Sequence, residues 1–209
     1  VLKEMITASK NIRFEGDGYS EEWKEEAMRR GLTNISHVPE AIMRFNDSQS
    51  REVLIGENIF NENELICRIE VELEKFTKKV QIESRVLGDL AINHIVPTAV
   101  IYQNRLLENL RGLRETFSQV EYEMLGADRR ELVKEIQFRI LEIKQLVREM
   151  TEARRISNRL TSQVEKAYSY EEKVRPYMEQ IREHIDHLEL EIDDEIWPLP
   201  KYRELLFTK

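Results

Sequence analysis

Four residues near the end of the chain have the side chains for chemistry: His184, Asp186, His187 and Glu191. His187 and Glu191 share a helical face at i,i+4, a spacing that could hold a metal ion through two ligands. A solvated acidic face accounts for the same residues better, so no metal is assigned. His94 falls on what reads as the inner stripe of a long helix, where a buried, hydrogen-bonded histidine would set register. Cys67 has no base beside it, and no nucleophile triad assembles around it. Gly16-Asp17-Gly18 lacks the third glycine of a dinucleotide fingerprint and the Gly-Lys-Ser/Thr of a P-loop, which leaves a turn. The residues alone therefore give no catalytic, cofactor-binding or metal-binding position.

Those residues sit in a chain built for helices. Of 209 residues, 41% are hydrophobic and 34% charged, with only 7 Gly and 5 Pro, a balance that disfavours strands and turns. The formal charge of −8 argues against a nucleic-acid footprint. A single cysteine fits a reducing compartment. The opening VLKEMITASK lacks the basic head and apolar run of a secretory signal, and the most apolar window, from Leu87 to Ile101, is broken by Asp89 and His94. A cytoplasmic protein with no membrane contact is the expectation. Residue 1 is Val rather than Met, which fits a chain cut from something longer.

The first ~58 residues differ from the rest. Ile12 and Phe14 alternate with polar neighbours, a strand signal that ends at Gly16. Ser20 stands as an N-cap with Trp23 at the third helical position, and Gly31 is the stop after Arg30. Pro39 and Glu40 open a short helix to about Phe45, and NDSQS from Asn46 reads as a loop. From Asn61 the apolar spacing becomes helical: Leu65, Ile69, Leu73, Phe76 and Val80, then Leu87, Leu90, His94 and Ile101.

Three helices are predicted over about 62–121, 129–168 and 171–195, with Asp128 capping the second and Pro97 a candidate bend in the first. Short links make them antiparallel neighbours, so the expected fold is mainly α: a long antiparallel three-helix bundle or coiled coil spanning 59–195, with a small mixed N-terminal segment. The second helix is basic and the third acidic, which predicts that they pair through their charges. That basic face carries no interleaved aromatics, so nucleic acid is not expected there. The tail, 196–209, concentrates Trp197, Tyr202, Leu205, Leu206 and Phe207 and is expected to dock on the bundle or a neighbouring subunit rather than on a membrane.

Four blocks carry a resemblance. They are IRFEGDGYSEEWKEEAMRRGL from Ile12, IGENIFNENEL from Ile55, QIESRVLGDLAINHIVPTAVIYQN from Gln81, and the closing WPLPKYRELLF from Trp197. Together, and in this order, they resemble the C-terminal region of type III glutamine synthetases over nearly the whole chain. The resemblance implies a parent enzyme that joins ammonia to glutamate with ATP and Mg2+ or Mn2+, in a ring-shaped homo-oligomer. It places the family's metal- and phosphate-binding residues in a β-sheet region upstream of the part resembled, so no catalytic residue carries over. Residues 1–58 would then be the trailing edge of the catalytic domain, and the remainder a helical appendage.

The expected function is non-catalytic: subunit packing or ring assembly, with the upstream catalytic domain and neighbouring subunits as partners. The rival reading is a free-standing helical protein–protein interaction module. Asn93 and His94 are expected in a polar layer at the centre of the bundle, fixing which helices meet. With Trp197, Tyr202, Leu205, Leu206 and Phe207 they make up the predicted interface set.

Overall fold

A computed structural model describes residues 2–10, 13–14 and 16–206, without the side chains of Tyr202 and Arg203. The chain is mainly helical. Among the described residues there is no strand; Ile12 of the predicted strand lies outside them, and Arg13 and Phe14 are irregular. The ring of Phe14 stacks 4.6 Å from that of Trp23 instead.

The N-terminal part is a series of short helices: α1 (Leu2–Ala8), α2 (Glu21–Arg29), α3 (Val38–Met43) and α4 (Ser48–Gly56), with a 3-10 turn at Arg44–Asn46. Ser20 caps α2, its hydroxyl accepting from the Trp23 N–H, and Gly31 stops it at φ 72°, a left-handed value that glycine adopts without strain. The predicted loop at NDSQS is instead the start of α4. Asp47 is extended at its N-cap, and Arg44 pairs with Asp47 at 3.0 Å.

The long helix starts where the spacing predicts. Asn61 and Glu64 form a reciprocal capping box, and α5 (Glu62–Leu90) continues through a π-helical turn at Ala91–Ile95 into α6 (Val96–Thr116). The π turn is the local answer to Pro97. Proline has no N–H to give the carbonyl four residues back, so an α-helix cannot pass through it intact. Here the Val96 N–H reaches five residues back to Ala91 O, and Pro97 becomes part of the first turn of a renewed α-helix. The Thr98 hydroxyl donates to His94 O at 2.9 Å, adding a bond where the ladder is weakest. The helix is carried past Pro97 without a break.

It ends earlier than predicted, at Thr116 rather than near residue 121. Phe117 is extended, and a second capping box, Ser118 with Glu121, starts the short α7 (Gln119–Leu125). Gly126, not Asp128, occupies the N-cap of α8 (Ala127–Ser157). The next reversal is also displaced. It lies at residues 158–162, ahead of α9 (Gln163–Lys173), so Ser169 and Tyr170, the break expected between the second and third helices, are helical. Pro176 then opens α10 (Arg175–Glu191) directly after Val174.

Cross-helix contacts give the directions. Ser84 meets Arg154, Gly88 faces Met150, and Gln103 donates to Val133 O at 3.1 Å, so α8 runs antiparallel to α5–α6. Ser157 bonds Ser169, and Arg139 meets His184, so α9–α10 runs antiparallel to α8. The main core lies between these three arms and includes Val80, Ala91, Ile95, Ala99, Ile136, Ile143, Met150, Tyr170, Ile181 and Leu188. A second cluster, around Leu65, Ile69, Leu73 and Ala167, is where Ile42, Met43, Leu54 and Ile55 of α3 and α4 attach.

The residues of the first arm that face this core are small. Ser84, Gly88, Ala91 and Ala99 are buried beside Ile95, while the larger Leu87 and Leu90 flank them half-buried. Small side chains let helix axes approach closely. The helical charges behave differently from the prediction. Ion pairs of α8 close within the helix (Lys134–Glu131, Arg139–Glu135, Arg155–Glu152) rather than across to α10 among the described residues.

A Cβ built on Gly88 would stand 3.5 Å from Met150 Cε and Val147 Cγ1, ordinary contact distance. Gly88→Ala is therefore expected to raise unfolding stability by about 1 kcal/mol, the helix-propensity difference. Gly88→Leu, which drives a side chain into α8, is expected to lower it by roughly 1–3 kcal/mol. Chemical denaturation of the two variants checks both signs.

Candidate interaction surface

The outward side of the first arm is the most unusual surface in the molecule. Ile82, Val86, Asp89, Asn93, Pro97, Ile101 and Asn104 recur at helical spacing, and all are exposed. Ile82 is 61% and Ile101 52% accessible, and Val86, Val100 and Leu107 are uncovered with them. Long exposed helices normally present charge; this one presents aliphatic groups interrupted by amides and one carboxylate. Asn93 Nδ2 donates to Asp89 Oδ1 at 2.6 Å along the stripe.

This placement corrects the expected polar layer. Asn93 and His94 do not lie at the centre of the bundle; both are exposed. Ile95, one position on, is fully buried in their stead. The error has a physical source. The stripe Leu87–Leu90–His94 follows the larger residues, whereas close helix packing selects the small ones at Gly88 and Ala91, one residue later.

The predicted tail residues divide. Trp197 is 8% accessible and belongs to the main core, with Ile196 and Leu199 packed beside it. Lys201 fixes this segment by donating to Glu189 O at 2.6 Å and Ile192 O at 3.3 Å, which satisfies carbonyls at the end of α10. Its ammonium also pairs with Asp194 at 2.5 Å. Beyond it, Leu205 and Leu206 are exposed at 66% and 80%, so docking on the bundle stops short of them. The Tyr202 side chain and Phe207 lie outside the described residues.

Several of the other polar groups have structural partners, whereas the buried Thr77 hydroxyl and Trp197 Nε1 have none among the described residues. Glu171 is buried and accepts from Arg175 at 3.0 Å, with His37 Nδ1 also at 3.0 Å, which ties α3 to α9. His184 is half-buried against Arg139 Nη1 at 3.1 Å; burial and the Arg139 charge hold its pKa below the ordinary imidazole value of 6.5. His187 and Glu191 stay exposed on α10, and no group of three His, Cys, Asp or Glu converges as metal ligands among the described residues. No helix among them is long and apolar enough to cross a membrane. Sequence reasoning missed the aliphatic members of the stripe, Ile82 and Val86. The signal was present: they lie on the face opposite Ser84 and Gly88.

Comparison with known proteins completes the picture. Residues 1–114 match the family model of the glutamine synthetase C-terminal domain. The chain belongs to that family. A glutamine synthetase of Bacteroides fragilis is 73% identical across the whole chain, which spans 29% of that protein. A type-3 glutamine synthetase of Dictyostelium discoideum is 29% identical over the whole chain, covering 28% of its length. A glutamine synthetase of Butyrivibrio fibrisolvens is 32% identical over 110 residues, 53% of this chain and 16% of that protein. The chain thus spans less than a third of each relative. The region matched by the glutamine synthetase C-terminal domain ends at residue 114, two positions before the long helix does. Its inner face is covered by α8–α10, which lie beyond the match.

The His184 environment sets a pH dependence. A histidine whose folded-state pKa is depressed binds its proton first in the unfolded chain, so its contribution is complete above about 6.5 and is lost as pH falls toward the lower folded value. Unfolding titrations from pH 7.5 to 5 are expected to show stability falling below pH 6.5. His184→Gln should flatten that segment of the curve.

Proposed function

We propose that this chain is the non-catalytic C-terminal helical segment of a type III glutamine synthetase, and that its role is subunit packing or ring assembly in a homo-oligomer. The whole protein would make glutamine from glutamate, ammonia and ATP in the cytoplasm. The carrying observation is the uncovered aliphatic stripe from Ile82 to Leu107 on the first arm. Contiguous exposed apolar surface of this kind marks a protein contact. In this reading the three arms work as one antiparallel three-helix bundle. The inner faces hold the bundle together, and the outer face of the first arm, with the exposed end of the tail, meets the catalytic domain or a neighbouring subunit. Leu2, Met5 and Ile6 of α1 expose further apolar surface at the N-terminal end, a second place for the catalytic domain to rest.

In this reading ATP and the divalent metal ion are held by other parts of the protein. Magnesium and manganese take clustered oxygen ligands, and the described residues bring no three acidic or imidazole groups together. That absence is compatible with a non-catalytic role, and no step of the chemistry is assigned to these residues.

Two measurements test the reading. The isolated 209-residue chain is expected to form no glutamine from glutamate, ammonia and ATP, whereas the full-length enzyme does; product from the isolated chain would refute a non-catalytic role. In the full-length protein, Ile82→Glu combined with Ile101→Glu should leave the bundle folded, since surface changes usually cost within about 0.5 kcal/mol. The same pair should shift the assembly toward smaller species in sedimentation. Unchanged sedimentation would remove the stripe from the interface.

A further inference from the structure

The far end of the bundle, where α6 hands over to α8, carries a helix with its apolar side turned out. α7 is only 7 residues long, and a helix that short is marginal unless packing holds it. Its apolar side chains do not supply that packing. Val120 and Met124, one turn apart, are 78% and 71% accessible, more than any residue of the outer stripe, and Phe117 and Leu125 are uncovered beside them.

Polar contacts hold α7 at both ends instead. The Ser118 N–H and hydroxyl donate to Glu121 Oε2 at 3.0 and 2.6 Å. At the other end Arg130 of α8 donates to Glu123 O at 2.8 Å and Tyr122 O at 3.4 Å, with its guanidinium 5.1 Å from the centre of the Tyr122 ring. Gly126 lets the chain turn tightly onto α6: a Cβ there would stand 3.0 Å from Tyr122 O and 3.1 Å from Leu110 Cδ2. A helix fixed in this way, with four apolar side chains facing water, has the character of a contact surface.

Its position says what covers it. The N-terminal helices attach around Leu65, Ile69 and Leu73, and from Glu62 to Thr116 the first arm runs about 80 Å along its axis at the standard helical rise. The chain spans 29% of its Bacteroides relative, and a remainder of that size, folded compactly, measures roughly 60 Å across. Joined through the N-terminal segment, a subunit's own remainder falls short of its α7. We propose that α7 packs against α7 of a second copy about a local two-fold axis. This rests on the assembly role proposed above and adds to it a place and a symmetry. Arg114 and Arg129 stand around the patch with Glu115, Glu121 and Glu123, and a rim of both signs suits a surface that meets itself after rotation. Four side chains a subunit bury far less than the roughly 1,200 Å² of a stable interface, so the contact closes between subunits that other surfaces already hold together.

A two-fold contact sets each residue near its own counterpart, so one introduced cysteine per subunit tests it. In the full-length protein, freed of other accessible cysteines by changes that include Cys67→Ser, Met124→Cys is treated with a short bis-maleimide. Covalent subunit pairs are expected to form at least about tenfold faster than with Lys144→Cys, which lies exposed on α8 away from the tip. Gln119→Cys, at the rim, leaves all four apolar side chains in place and should behave like Met124→Cys. Adding Val120→Glu should bring the rate down to that of Lys144→Cys. Sedimentation of the same untreated variants separates the two levels of the account. Assembled protein in which neither Met124→Cys nor Gln119→Cys pairs faster than Lys144→Cys would overturn the tip contact and leave the assembly role standing. A monomer would overturn both, and pairing undiminished by Val120→Glu would remove the apolar patch from the contact.

Discussion

The fold depends on how closely the first arm can approach its neighbours. Ser84, Gly88, Ala91 and Ala99 remove side-chain bulk along one line, and Met150, Val147 and other residues of α8 and α10 fill the space. Tight burial of such a line is worth more than the same area loosely packed, since dispersion falls steeply with small gaps. Pro97 sits in the middle of this arm and would normally end it. The π turn from Ala91 to Ile95 removes that obstacle while keeping Ile95 and Ala99 turned inward. A helix of this length is held by its packing more than by its own propensity.

Turning the small residues inward sends other residues outward. Asn93, His94 and Pro97 are exposed because Ala91, Ile95 and Ala99 are not, and Ile82, Val86 and Ile101 go out with them. The same division occurs in the tail, where Trp197 closes the core and Leu205 and Leu206 remain uncovered. Charges contribute little to this architecture. Most ion pairs are short-range partners on exposed helix faces, of a kind that adds little stability.

Much of the helical content was legible. The Leu65–Ile69–Leu73 spacing, the Ser20 cap and the Gly31 stop correspond to observed structure, because each is a local signal. Junctions were less legible. The Ser118–Glu121 capping box starts a new helix and so ends the long one before the expected limit near residue 121. The break expected at Ser169 and Tyr170 is helical, and Tyr170 is wholly buried in the core. Apolar spacing puts the inner line of the first arm one residue early, because hydrophobicity ranks leucine above glycine and tight packing reverses that order. Pairing of the basic and acidic helices by charge failed for a related reason: composition gives net sign, but partners three or four residues away compete first.

Continuity of the first arm through Pro97 is the central claim, and native-state hydrogen exchange across residues 62–116 tests it most directly. Amides of the buried face on both sides of the π turn are expected to open with the same free energy and the same denaturant dependence as those of α8, as one cooperative unit. If residues 98–116 instead exchange through a separate, far less costly opening than residues 62–90, the π turn is a hinge between two independent helices and the account is wrong.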